Sequence, residues 1–240
     1  MRLSSYVWSG FLFIGLLAYA SCSFTGIKGN GNVVKVEKNI KPFTELKCDG
    51  VFDVILTQGE TEKLEIEADE NLIDLVTIKN VGNQLIVGFK KGTNLRKSTK
   101  FNIYITLKDI TSLTMEGIGD IKNTGTLNLK TLEINKSGVG DLNLNISSSI
   151  LDINSSGVGD VNLTGSSTYL IIDNSGVGDV IADTFKADDV KLDNNGVGDA
   201  KVFASEKIDI KNSGVGDVEF YGTPKEKHIN KGGVGKVYQR

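Results

Sequence analysis

The chain is poor in the residues that most folds and most enzymes rely on. Among its 240 residues are two prolines, two cysteines and one histidine, and aromatic side chains make up 7% of the total. Two cysteines, Cys22 and Cys48, make neither a disulfide framework nor a metal site. The single histidine, His228, allows no His-rich metal cluster, and its arginines are only Arg2, Arg96 and Arg240. No run of Lys or Arg is long enough to bind phosphates, so nucleic acid is not expected as a partner. The P-loop, dinucleotide and nucleophile-elbow motifs are also missing, which removes the usual footholds of nucleotide and acyl-transfer chemistry. With so few aromatics, the core must come from small and β-branched aliphatic residues. No stretch sustains a helical period.

Long apolar runs are scarce as well. The single one, Tyr6 to Ala20, follows Arg2 and is too short to span a bilayer comfortably, where ~20 residues are wanted. It reads as a targeting segment, residues 1–21, ending in the small residues Ala20 and Ser21. Ala20-Ser21-Cys22 resembles the lipobox at which bacterial lipoproteins are cleaved and acylated, with Tyr19 where Leu is usual. Cys22 is therefore the expected lipidation site, and ordinary cleavage after a small residue is the other reading. An acyl anchor implies an exported outer-membrane lipoprotein, on either the periplasmic or the surface face. Residues 22–33, with Gly26, Gly29 and Gly31, read as a tether ahead of a single domain over 34–240.

Glycine is what the chain has in abundance, and it is periodic. Half of the 28 glycines lie in seven Gly-x-Gly units whose first members are Gly117, Gly138, Gly157, Gly176, Gly196, Gly214 and Gly233. The steps between them are 21, 19, 19, 20, 18 and 19 residues. The second glycines are Gly119, Gly140, Gly159, Gly178, Gly198, Gly216 and Gly235. Asp120, Asp141, Asp160, Asp179, Asp199 and Asp217 follow the first six, and Lys236 follows the last. Around each unit short aliphatic alternations mark strand, turn, strand, as in Leu151, Ile153, Gly157, Val161 and Leu163.

A 19-residue unit holding short strands is the size of one coil of a parallel β-helix, with coils stacked ~4.8 Å apart. The expected fold is thus all-β, a single-stranded right-handed parallel β-helix, its hand taken from the crossover rule. Regular repeats fill 117–236. The turn glycines are needed because a side chain would strike its copy in the next coil. The Val or Ile between them is expected to point into the core. Asp49-Gly50-Val51-Phe52-Asp53-Val54 looks like a degenerate repeat, which suggests that the first half is the same helix with irregular coils.

The lipobox-like start, the segment around Phe43 leading into Asp49–Val54, and the repeated Ser-Gly-Val-Gly-Asp together resemble the "putative auto-transporter adhesin, head GIN domain" family of Bacteroidetes-type envelope proteins, over about Val36 to Val237. That resemblance implies an exported β-helix with an adhesin-like role and no catalytic residues to carry over.

The stacked aspartates admit two readings: a weak Ca²⁺ ladder, or carboxylates that cap their turns through local N–H groups, which fits one carboxylate per repeat better. The adjacent pair Asp188-Asp189 offers acids for a polysaccharide-active enzyme, though an exposed turn accounts for it more simply. The leading reading is a non-enzymatic envelope or surface protein that binds a glycan or an envelope partner; a polysaccharide-active enzyme and a purely structural protein are the alternatives.

Overall fold

The computed structural model describes residues 26–240, so the targeting segment and Cys22 lie outside the described residues. The described chain is almost entirely β, with one 3-10 turn at Glu70–Leu75. Most strands join one continuous, mostly parallel sheet that wraps into a β-solenoid. Strands Leu142–Ser155, Val161–Asn174, Val180–Asn194 and Ala200–Asn212 each supply most of a coil and pair in parallel with the next.

Register follows from the alternation in the sequence. Inward positions stack like on like: Leu132 on Leu151, Leu170, Val190 and Ile208, and Ile134 on Ile153, Ile172, Leu192 and Ile210. All ten are buried. A one-residue slip would turn both columns out into water, so the hydrophobic pattern fixes the register.

Seven parallel bridges link Val51, Ile118, Val139, Val158, Val177, Val197, Val215 and Val234, so the seven repeats stand on a base turn at Val51. The degenerate repeat is therefore in register with the others. Below it the architecture departs from the expectation of irregular coils. Gln84–Phe89 and Phe101–Leu107 slide beneath Glu45–Asp49 and Asp53–Gln58, and Ser112–Met115 and Ile121–Thr124 lie on their other sides, so stacking order is not chain order. Three antiparallel pairings then close the base: Val33–Lys38 with Lys63–Asp69, Lys63–Asp69 with Phe101–Leu107, and Val76–Val81 with Gln84–Phe89. Antiparallel strands laid across the end of a solenoid cap it because they cover its open edge.

The described part of the expected tether belongs to this cap. Ile27 and Gly29 donate to the carbonyls of Asn94 and Lys97. Gly31 N–H and Thr99 N–H donate to the two carboxylate oxygens of Asp69, each at 2.7 Å. Chiefly through the Thr99 bond, these hold the Asp69 carboxyl below the usual carboxylate range.

Candidate binding faces

The repeated turn is extended, so its side chains alternate. Ser137, Val139 and Asp141 face outward while Gly138 is buried between them, and the same holds at Ser156-Val158-Asp160 and Ser175-Val177-Asp179. The expectation that the Val column fills the core is wrong: Val139, Val158, Val177, Val197 and Val215 are 48–52% exposed. The reason is phase. Val stands two residues from a polar Ser or Asn and two from Asp, so all three share the solvent side.

Both glycine columns carry the constraint expected of them. A Cβ on Gly157 would lie 2.0 Å from the carbonyl oxygen of Gly138, and one on Gly159 2.4 Å from that of Gly140. The second column also has positive φ, from 116° at Gly159 to 144° at Gly216 and Gly235. That backbone is strained for any L side chain.

The aspartates do cap the turns, but across coils rather than locally. Asp53 Oδ1 accepts from the backbone N–H of Asp120, Asp120 from Asp141, Asp141 from Asp160, and so on up to Asp217, which accepts from Lys236, all at 2.7–2.9 Å. Stacking sets the next coil's N–H within hydrogen-bonding reach of each carboxylate. Among the described residues no coil stacks on Lys236, so no N–H there calls for a carboxylate. Among the described residues no three His, Cys, Asp or Glu side chains are placed to hold a metal ion together.

A further column escaped the sequence reading. Cys48, Met115, Lys136, Ser155, Asn174, Asn194 and Asn212 occupy one inward position in successive coils. Asn174 donates to Asn194 Oδ1 and Asn194 to Asn212 Oδ1, at 2.9 and 3.1 Å, so the buried amides satisfy one another along the axis. Lys136 is 1% exposed, and its Nζ donates to the Gly159 carbonyl at 3.1 Å. Burial lowers its pKa, partly offset by Asp141 and Asp160. Burial likewise pushes the Cys48 thiol up to about 12. The signal was present, since each of these residues continues the inward alternation.

On the flat sheet face, Tyr169 stands half exposed over an open depression of about 280 Å³ lined also by Ile171, Asp189, Lys191, Lys207 and Asp209. Lys207 pairs with Glu226 at 3.1 Å, which raises its pKa. Asp188 and Asp189 part company here. Asp188 accepts from Ser205 Oγ at 2.9 Å, whereas Asp189 lies in register between Tyr169 and Lys207.

The profile of the family described as "Putative auto-transporter adhesin, head GIN domain" matches residues 42–224. The chain belongs to that family. Among solved structures, a putative adhesin from Bacteroides fragilis NCTC 9343 is 28% identical with a TM-score of 0.87, over 90% of this chain and 100% of that one. A putative lipid binding protein from Parabacteroides distasonis ATCC 8503 (21% identity, TM-score 0.69, 88% and 99% covered) and a putative adhesin from Parabacteroides merdae ATCC 43184 (24%, 0.63, 89% and 99%) share the fold. No curated protein matches the sequence. As a head GIN domain protein the chain is an adhesin-like, exported surface protein by that assignment. No helix among the described residues is long and apolar enough to cross a membrane.

Proposed function

We propose that this head GIN domain protein is a non-enzymatic outer-membrane lipoprotein, acylated at Cys22, that binds a glycan or an envelope protein on the sheet face around Tyr169. The observation that carries the reading is the half-exposed Tyr169 above its open depression. An amphipathic ring beside carboxylates and ammonium groups suits stacking on a sugar or a peptide with polar contacts at its rim. The separate contacts of Asp188 and Asp189 support binding rather than paired-acid chemistry, because the two carboxylates serve different neighbours. The described chain starts at the base, against residues 94–97, so an anchor on Cys22 would leave the coils pointing away from the membrane. We assign the aspartate column a structural role and no required metal.

Glycan arrays and pull-downs from envelope extracts test the binding reading. Retention of a ligand that falls at least tenfold with Tyr169→Ala is the expected result; no ligand, or equal retention by the variant, overturns it. Intact mass of the protein from native membranes tests the anchor, with diacyl or triacyl mass on Cys22 expected and an unmodified chain against it.

A further inference from the structure

The lowest coil departs from the repeat at its corner. Asp49 pairs with Gly88 and Asp53 with Asn102, so the three residues that turn the corner above are replaced by thirteen, Phe89 to Phe101. Lys90, Lys91, Arg96, Lys97 and Lys100 lie in that loop, all exposed, and no acidic residue stands among them. The first described strand, Ile27–Lys28, runs parallel to the loop, with Lys28 in register with Lys97. Between the two lies an open depression of about 200 Å³, with Lys28, Asn30, Lys97, Ser98 and Thr99 in its walls. Lys63–Asp69 pairs with Phe101–Leu107 on the side away from the coils, and Asp69 at its end holds both Gly31 and Thr99. The entering strand and the depression therefore lie on the underside of the base.

Most of this charge is free. Lys100 meets Glu67 at 2.9 Å, but Lys28, Lys90, Lys91, Arg96 and Lys97 are in no ion pair among the described residues. The Asp69 carboxylate under the depression is buried, and both its oxygens already accept from backbone N–H groups. The 3-10 turn, which meets this region through Asn71 and Leu75, adds Glu70 and Asp74. Five free cations against three carboxylates leave the underside positive. Asp49 and Asp53 belong to the coil above, and Asp53 already accepts from the Asp120 N–H. The coils have the opposite sign: residues 108–224 carry 9 basic and 18 acidic side chains.

From this division of charge we infer that the underside of the base is a membrane-contacting face, which binds acidic phospholipid headgroups and holds the solenoid upright. The inference rests on the acyl anchor proposed for Cys22. From Cys22 to Gly26 is four residues, about 14 Å at full extension, so an acylated Cys22 keeps the loop within reach of the headgroup layer. That tether also selects the occupant. Anchored beside a surface of lipid phosphates, the loop meets them at a high effective concentration that a free anion in solution does not have. Acyl chains alone fix where the protein enters the membrane and leave its tilt open. Cations on the underside restrict the tilt, because they are drawn to an anionic surface within a Debye length, while the acidic coils are repelled from it. The rod then stands off the membrane with its sheet faces clear of the lipid.

Amine labelling of the full chain, purified from native membranes, tests the face. The protein is added to preformed vesicles of phosphatidylcholine alone or mixed with phosphatidylglycerol, and a water-soluble acetylating reagent reports each lysine by peptide mass spectrometry. Lys28, Lys90, Lys91 and Lys97 should be acetylated at least fivefold more slowly on the anionic vesicles at low salt, and high salt should erase the difference. Lys231 and Lys236, in the coil farthest from the base, should label alike on both. Lys91→Gln, Arg96→Gln and Lys97→Gln together, all at exposed positions, should reduce the protection of Lys28 below twofold. Equal labelling on the two vesicles, equal protection of both ends of the solenoid, or undiminished protection of Lys28 in the triple variant would each overturn the proposal. Intact mass of the same sample reads the anchor separately. An acylated chain with equal labelling refutes the face and spares the anchor, whereas an unacylated chain protected only by phosphatidylglycerol refutes the anchor and sustains the face.

Discussion

The middle of the solenoid and its two ends obey the same stacking rules with different boundary conditions. In the middle, each residue meets its own equivalent above and below, so the column decides what is allowed. The second turn glycine is confined from below, by the carbonyl of the preceding coil. At the base turn no such coil lies beneath, and Phe52 takes the glycine's place. Its ring packs against Phe89 and Phe101, with centroids 5.7 and 6.0 Å away, and plugs the end. The aspartate is demanded from above, by the next coil's N–H. At the top no such coil is among the described residues, and Lys236 stands in the aspartate's place. Glycine is thus released at one end and aspartate at the other, each where its constraining neighbour is missing.

The sharpest way to break this comparison is to exchange the residues between regions. Gly159→Val should cost about 4 kcal/mol or more, seen as a lowered urea midpoint, because it drives a side chain into the Gly140 carbonyl from a positive-φ backbone. Phe52→Gly restores the repeat's own residue, yet it should also destabilise, by about 3 kcal/mol, since it empties the aromatic plug. A stabilised Phe52→Gly would mean that the base is simply a worn repeat. Next in size, Asp160→Ala should cost about 2 kcal/mol by orphaning the N–H of Asp179, whereas Lys236→Ala should stay within about 0.5 kcal/mol.

Lys136 sharpens the contrast from inside the core. Its pKa is lowered in the folded chain, chiefly by burial, so the fold loses its proton before the unfolded chain does. Stability should therefore rise as pH climbs from the lowered value toward the ordinary lysine value of 10.5. Lys136→Met should flatten that rise and add about 1–2 kcal/mol at neutral pH, read from urea midpoints against pH. The smallest effect belongs to the top coil. Glu219 accepts from Tyr238 and Tyr221, and with Arg240 nearby its pKa falls to about 2. Its contribution should be complete above the ordinary 4.5 and lost as pH falls toward 2. Hydrogen-exchange protection of residues 226–240, taken relative to the intrinsic rate at each pH, should fall over that window, and Glu219→Gln should abolish the dependence.

Much of this was legible beforehand. The spacing of Gly-x-Gly-Asp set the coil length, and the aliphatic alternation set which residues stack inside. The base turn at Val51 was recognisable despite Phe52. The direction of the turn valine was misread, although its distance of two residues from both Ser and Asp already put it on the polar side. The base could not be read, because antiparallel pairing of Lys63–Asp69 with Phe101–Leu107 depends on residues far apart in the chain, and neither strand carries the repeat. Tyr169 likewise gave no signal, since its neighbours Lys191 and Lys207 arrive from later coils.

What the sequence determined by itself is everything that recurs: period, strand phase, and the need for glycine wherever one backbone lies on another. These follow from local geometry repeated coil after coil. The tertiary structure alone decided the order of strands in the base, the partner of each aspartate across coils and the polar ladder around Lys136. Each depends on which residue lies one coil away, and only the folded stack brings those residues within hydrogen-bonding or van der Waals reach.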